Sequence, residues 1–181
     1  MLTLNEVIKG CQSHDRRAQK ALYDKYASLM LGICVRYAKD KQEAEDVMQD
    51  GFIKIFSSID QFSEQGSFEG WMKRIMVNTA ISNYRKNLKH YYQVDIDEPH
   101  VKAIGDNWEP SEYSHDELMG VIKSLPDGYK MVFNLYAIEG YKHKEIADLL
   151  GIDETTSKSQ YSRAKKQIQS KLFELSKIKQ S

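Results

Sequence analysis

The run Lys144-Glu145-Ile146-Ala147-Asp148-Leu149-Leu150, then Gly151-Ile152-Asp153, then Glu154 onward decides how this chain is read. A short helix, a three-residue turn holding a glycine and a longer helix make the helix-turn-helix pattern. Ala147 is small where the two helices must cross closely, and Ile146, Leu149, Leu150 and Ile152 supply a core. On the longer helix Tyr161, Ala164, Ile168, Leu172 and Leu175 fall on one face. Thr155, Lys158, Ser159, Ser162, Arg163 and Lys166 cluster on the other at about 100° per residue. Short polar groups beside cations are what a helix needs to read base edges and hold phosphates in a major groove. A solvated basic face on an ordinary helical hairpin has the same composition.

Working upstream, Gly140 breaks the chain and Tyr129–Glu139 reads as helix. Pro126-Asp127-Gly128 reads as another break, and Asp116–Ser124 as helix. The stretch from about Tyr91 to Tyr113 carries Pro99, Pro110, Gly105 and scattered acids, and reads as a linker. Further upstream, residues 3–10 form a short helix, and Asp15 caps a second running to about Ala38. Apolar positions of the second are Ala21, Leu22, Tyr26, Leu29, Met30, Ile33 and Val35. A third helix spans Lys41 to about Ser58 with a buried stripe of Ala44, Val47, Met48, Gly51, Phe52 and Ile55. Asp60–Ser67 is a polar loop, and a long helix runs from Phe68 to about Lys89. The expected fold class is all-α: two small helical domains, 1–90 and 114–181, joined by a flexible acidic linker, 91–113.

The chain has 181 residues, 41% of them apolar and 29% charged, which suits a globular protein rather than a disordered one. Lys and Arg number 26 and Asp and Glu 26, so bulk positive charge does not drive nucleic-acid binding. Distribution matters more than the total. Residues 1–90 hold 14 cations and 11 acids, 91–117 one cation and eight acids, and 118–181 eleven cations and seven acids. Two mildly basic blocks flank an acidic one. No apolar run approaches the roughly 18 residues of a membrane span, so a cytoplasmic protein without membrane insertion is expected. Two cysteines make no disulfide framework.

The amino-terminal block carries two surfaces that packing leaves over. Opposite the buried stripe of the third helix lie Asp46, Gln49, Asp50, Ile53 and Ser57. An isoleucine among acids on an outer face suggests protein binding, against the plainer reading of a solvated charged face. On the long helix Phe68, Trp71, Met72, Ile75 and Thr79 make one buried stripe, and Val77, Ile81, Tyr84 and Leu88 a second. The strip Arg74, Asn78, Ser82 and Arg85 stays free, a plausible nucleic-acid surface. The loop before it, polar with the single aromatic Phe62, is either a plain connector or a holder of an unstacked base.

The runs AEDVMQDGFIKIF, SFEGWMKRIMVNTAISNYRK and LPDGYKMVFNLYAIEGYKHKEIADLLGIDETTSKSQYSRAKKQI, in this order around an acidic segment, resemble the extracytoplasmic-function (ECF) class of bacterial RNA polymerase sigma factors. The resemblance covers about residues 5–90 and 114–175. It implies two helical domains, regions two and four, and a non-enzymatic protein that directs core RNA polymerase to promoters. By resemblance, Asp46, Gln49, Asp50 and Ile53 dock on the clamp helices of the largest polymerase subunit. Gln61, Phe62, Ser63, Arg74, Asn78, Asn83 and Arg85 serve the minus-ten element, the loop capturing a flipped base. Thr155, Lys158, Ser159, Ser162, Arg163 and Lys166 read the minus-thirty-five element. The flap of the second-largest subunit, promoter DNA and an anti-sigma factor are the further implied partners, and no cofactor is implied.

Three positions depart from the family pattern. Lys142 replaces the usual capping Ser or Thr before the first helix of the helix-turn-helix, Ser157 replaces an apolar residue near the start of the reader, and Gln160 replaces a frequent Arg. Ser157 is expected to thin the packing there. The competing function is a stand-alone helix-turn-helix regulator that binds duplex DNA without polymerase. A carboxylate hydrolase using Asp46 and Asp50 lacks any converging nucleophile or histidine cluster. Cys11-x2-His14 has the spacing of half a zinc site but no matching half, and reads as a chance pair.

Overall fold

The computed structural model describes residues 3–63, 65–91 and 113–179, with backbone alone at 89–91. Among the described residues there are eight α-helices and no strand. They are α1 Leu4–Gln12, α2 Arg16–Tyr37, α3 Lys41–Ser58, α4 Phe68–Tyr91, α5 His115–Lys123, α6 Asp127–Phe133, α7 His143–Leu150 and α8 Glu154–Lys179. A 3₁₀ turn, Ile59–Gln61, follows α3, and a π-turn, Asn134–Ile138, follows α6. The chain divides into two compact units, Met1–Tyr84 and Arg85–Ser181. The expected linker, except for Tyr91 and Tyr113, lies outside the described residues.

In the first unit local chemistry sets the helix ends. Thr3 and Glu6 form a capping box on α1, Asp15 accepts from the Arg17 amide, and Asp40 accepts from the Glu43 amide at 2.8 Å. Helix α1 ends in a Schellman turn: His14 donates its amide to Cys11 O, Asp15 donates to Gly10 O, and His14 sits at φ 57°. The Cys11–His14 spacing is therefore that of a helix end. Burial pushes the Cys11 thiol up, and the Cys34 thiol up to about 12.

The stripe expected on α3 is the buried set, residue for residue. On α2 the buried stripe steps by four through Ala18, Leu22, Tyr26, Met30 and Cys34. Leu29, expected within it, sits at its edge and is 41% exposed. On α4 the two expected stripes merge across the buried Met76 and Ala80. Met76 lies against Gly51, where α3 and α4 cross so closely that an added Cβ would overlap its sulfur.

In the second unit α5 and α8 share a core of Val121, Ile122, Leu125, Ala164, Ile168 and Leu172. Lys171 donates to Ser124 O at 3.2 Å and to Ser124 Oγ at 2.7 Å, covering the end of α5. The break expected at Pro126-Asp127-Gly128 is instead a helix start. Pro126, extended at φ −52° and ψ 143°, is the N-cap of α6, where a missing N–H costs nothing. The helix expected over Tyr129–Glu139 therefore begins two residues sooner, and it widens into the π-turn. There Asn134 Nδ2 donates to Lys130 O at 2.9 Å and the Glu139 amide reaches Asn134 O.

Candidate nucleic-acid interface

The residues singled out in the sequence fall on three helices, α3, α4 with the loop before it, and α8. The first face is on α3. Asp46, Gln49, Asp50 and Ile53 are all exposed, opposite the buried stripe, and Ile53 is 65% exposed. Tyr23 of α2 packs on Phe52 at 4.7 Å and is itself partly open.

The second face is α4 with the loop that precedes it. Ser67 begins the helix by accepting the Gly70 amide at 3.2 Å. Arg74, Asn78, Ser82 and Arg85 are exposed along one strip, and Ser82 Oγ donates to Asn78 O. Asn83 does not lie with them: its Nδ2 donates to Glu43 Oε1 at 2.7 Å. The loop is shorter and better anchored than the sequence suggests. Asp60 and Gln61 belong to the 3₁₀ turn, and Glu64 lies outside the described residues. Phe62 is half-buried, with its ring 5.0 Å from Phe68 and 5.6 Å from Trp71. It closes the base of the loop as part of an aromatic cluster, while Gln61 and Ser63 on either side are exposed.

The third face is on α8. Thr155, Lys158, Ser159, Ser162, Arg163 and Lys166 are all exposed. Lys158 pairs with Glu154 at 2.6 Å, which lowers the Glu154 carboxyl. Arg163 Nη1 approaches the Tyr129 hydroxyl at 3.4 Å, so α6 braces one cation of the face. The buried side holds Ala164, Ile168 and Leu172, with Tyr161 and Leu175 half-buried. Helix α7 crosses beside it with Ile146, Ala147 and Leu150 buried, while Leu149 and Ile152 are only half-buried. Gly151, at φ +70°, makes the turn in the left-handed region that favours glycine.

Two of the departures acquire structure. Lys142 offers α7 no side-chain acceptor. Only the return bond forms, from the Lys142 amide to Glu145 Oε2 at 2.7 Å. Ser157 makes a polar contact where an apolar residue is usual. It is fully buried, and its Oγ meets His143 Nδ1 at 2.9 Å. A buried hydroxyl needs such a partner, and His143 is a residue that sequence reading passed over. The signal was present in the sequence as a small polar residue at a core position facing a helix start that carries a histidine.

Among the described residues no helix is long and apolar enough to cross a membrane, and no group of three His, Cys, Asp or Glu side chains gathers to hold a metal.

These elements fall in matched segments. Residues 22–89 match the family Sigma-70 region 2, and residues 115–168 match Sigma-70, region 4. The ECF RNA polymerase sigma-E factor of Haemophilus influenzae is 26% identical over 94% of this chain and 96% of its own length. The RNA polymerase sigma-H factor of Pseudomonas aeruginosa is 27% identical over 90% of each. The ECF RNA polymerase sigma factor SigW of Bacillus subtilis is 27% identical over 96% of this chain and 99% of its own. A solved structure of similar form is that of the sigma factor RpoE from Bartonella quintana, in complex with the anti-sigma factor NepR. It has a TM-score of 0.49 and 19% identity, over 84% of this chain and 95% of that one. With both regions present in order, and relatives aligned along nearly their whole length, the chain belongs to the ECF class of RNA polymerase sigma factors.

Proposed function

We propose that the chain binds core RNA polymerase and directs it to specific promoters with two separate DNA-reading hands, one in residues 1–90 and one in 114–181. The observation that carries this reading is the pair of exposed polar faces on α4 and α8, each backed by a filled core. Arg74, Asn78 and Arg85 hold phosphates of the non-template strand, and the loop with Gln61 and Ser63 pockets one unstacked base of the minus-ten element. Phe62 supports that pocket from below. Unstacking costs a few kcal/mol per base, and capture of the extruded base offsets it. Thr155, Ser159, Ser162 and Arg163 read the minus-thirty-five element, with Lys158 and Lys166 on its phosphates.

Asp46, Gln49, Asp50 and Ile53 form the docking surface for the clamp helices of the largest subunit. Exposed acids around one apolar anchor suit a partner that is basic at its rim and apolar at its centre. A flap contact in the second-largest subunit and an anti-sigma regulator belong to the same proposal on family resemblance.

The test is transcription from genomic DNA by core polymerase with and without the chain, followed by mapping of start sites. Start sites sharing two spaced elements, dependent on both the chain and the polymerase, are expected. Specific duplex binding by the chain alone, unchanged by core polymerase, would identify a stand-alone regulator instead.

A further inference from the structure

We propose that His143 is a positioning residue of the upstream reader, fixing the angle of α8 through its contact with the buried Ser157 hydroxyl. This rests on the assignment of the exposed face of α8 to duplex DNA.

Four side chains from three elements meet at the start of α8. The His143 ring, from α7, lies flat on Tyr136 of the π-turn, with centroids 4.3 Å apart and planes 13° apart. It meets Tyr161 of α8 edge-on at 5.8 Å, and Tyr136 meets Tyr161 at 4.5 Å. Behind the ring, Nδ1 stands 2.9 Å from Ser157 Oγ. Ser157 is fully buried in the first turn of α8.

At about 100° per residue Ser157 lies roughly opposite Thr155, Ser159, Ser162 and Lys166. A rotation of α8 that breaks the Ser157 contact therefore displaces those four groups by a like angle. An aliphatic residue at this position would tolerate such a rotation, because apolar contact is non-directional. A hydrogen bond weakens steeply away from its preferred angle. The polar residue at a core position thus trades a rotationally loose contact for a directional one.

The charge state of the ring enters the same contact. His143 faces Lys158 and Glu154 of α8 and the rings of Tyr136 and Tyr161; Lys142, Lys144 and Glu145 lie beside it in sequence. Burial, then Lys158, lower its titration below the usual histidine range, and Glu154 opposes them. At neutral pH the ring is neutral and Nδ1 is able to accept from the Ser157 hydroxyl. Protonation makes Nδ1 a donor, reverses the contact and sets a second cation beside Lys158.

The experiment uses holoenzyme assembled from the full chain and core polymerase. Its probes are two duplexes that differ only in the upstream element: one taken from the mapped promoters, one scrambled. The readout is the ratio of the two affinities. Ser157→Ala and His143→Phe are each expected to cut that ratio roughly three- to thirtyfold, the double variant no further than either, as for two residues in one contact. Ser157→Thr, which keeps the hydroxyl, retains the ratio. The ratio for the unaltered chain falls as pH drops through the His143 titration, and that fall is absent in His143→Phe. Should His143→Phe not fold, Ser157→Ala, which removes one oxygen, carries the same pH comparison.

Additive losses, an unchanged ratio or an unchanged pH profile in the variants would overturn the proposal while leaving the reader in place. No preference between the two duplexes by the unaltered chain would overturn the assignment of the reader, and the proposal with it.

Discussion

The Asn83 amide donates to Glu43 Oε1 at 2.7 Å and ties the middle of α4 to the first turn of α3. Glu43 uses its other oxygen to accept the Lys39 amide at 2.7 Å, and its own amide donates to Asp40 at 2.8 Å. Asn83, which resemblance to the family counts among the minus-ten residues, is thus engaged with α3. Replacing Asn83 by alanine should cost about 1.5–3 kcal/mol of stability, the order of one hydrogen bond to a charged group, and replacing Glu43, which also accepts the Lys39 amide, should cost more. The double replacement should cost clearly less than the sum. Urea denaturation of the four proteins measures this, and strict additivity would refute the tie.

Charge reversal at both Asp46 and Asp50 should weaken binding to core polymerase about tenfold or more, with the helical circular dichroism unchanged. Ile53→Asp should act in the same direction by removing the apolar anchor. Affinity measured with labelled protein decides the matter, and unchanged binding by either variant would move the docking surface elsewhere.

Two glycines should respond oppositely to alanine. Gly51 has the buried Met76 sulfur where its Cβ would go, so Gly51→Ala should destabilise by about 1–3 kcal/mol through overpacking. The loss should shrink when Met76→Ala makes room. Gly120 has nothing near it, so Gly120→Ala should stabilise α5 by about 0.5–1 kcal/mol. Thermal melts of both variants give the two signs.

Acid should loosen the junction of α5 and the end of α8. Glu117 accepts from Lys179 at 2.6 Å and from the Ser114 amide at 2.9 Å. Lys179 first, then Ser114, bring its carboxyl from the ordinary 4.5 down to about 2. A carboxyl depressed in the folded state adds stability above its unfolded value, and that contribution disappears as pH falls through the folded one. The stability difference between the chain and Glu117→Gln should accordingly close as pH falls from about 4.5 to about 2. A difference that holds constant across this window would show that the carboxylate contributes nothing.

The loop proposed to capture a base should be separable from its support. Exchanging residues 63–67 for another sequence, with Phe62 kept, should change the base preferred in the minus-ten element and leave upstream preference alone. Phe62→Ala should instead lower open-complex formation on every promoter, because the ring packs on Phe68 and Trp71. Start-site profiles of the two variants tell these effects apart, and a loop exchange that shifts upstream preference would refute the division of labour.

Helical periodicity alone was enough to place α3, α7 and α8, because their apolar residues recur on one face and their ends carry Asp40, Gly151 and Asp153. The exposed faces of α3, α4 and α8 follow from the same arithmetic, since what is not buried on a helix faces water. Periodicity carries no information about contacts between residues far apart in the chain. Asn83 and Glu43 are forty residues apart, and His143 and Ser157 fourteen. Which side chain meets which is decided by how helices cross, and a polar group at a crossing is fixed by the partner it finds when water is excluded. The sequence by itself therefore determined which surfaces this protein presents. Only the tertiary structure decided which polar residues hold those surfaces in place, because a buried hydrogen bond exists only once both of its ends have been brought together.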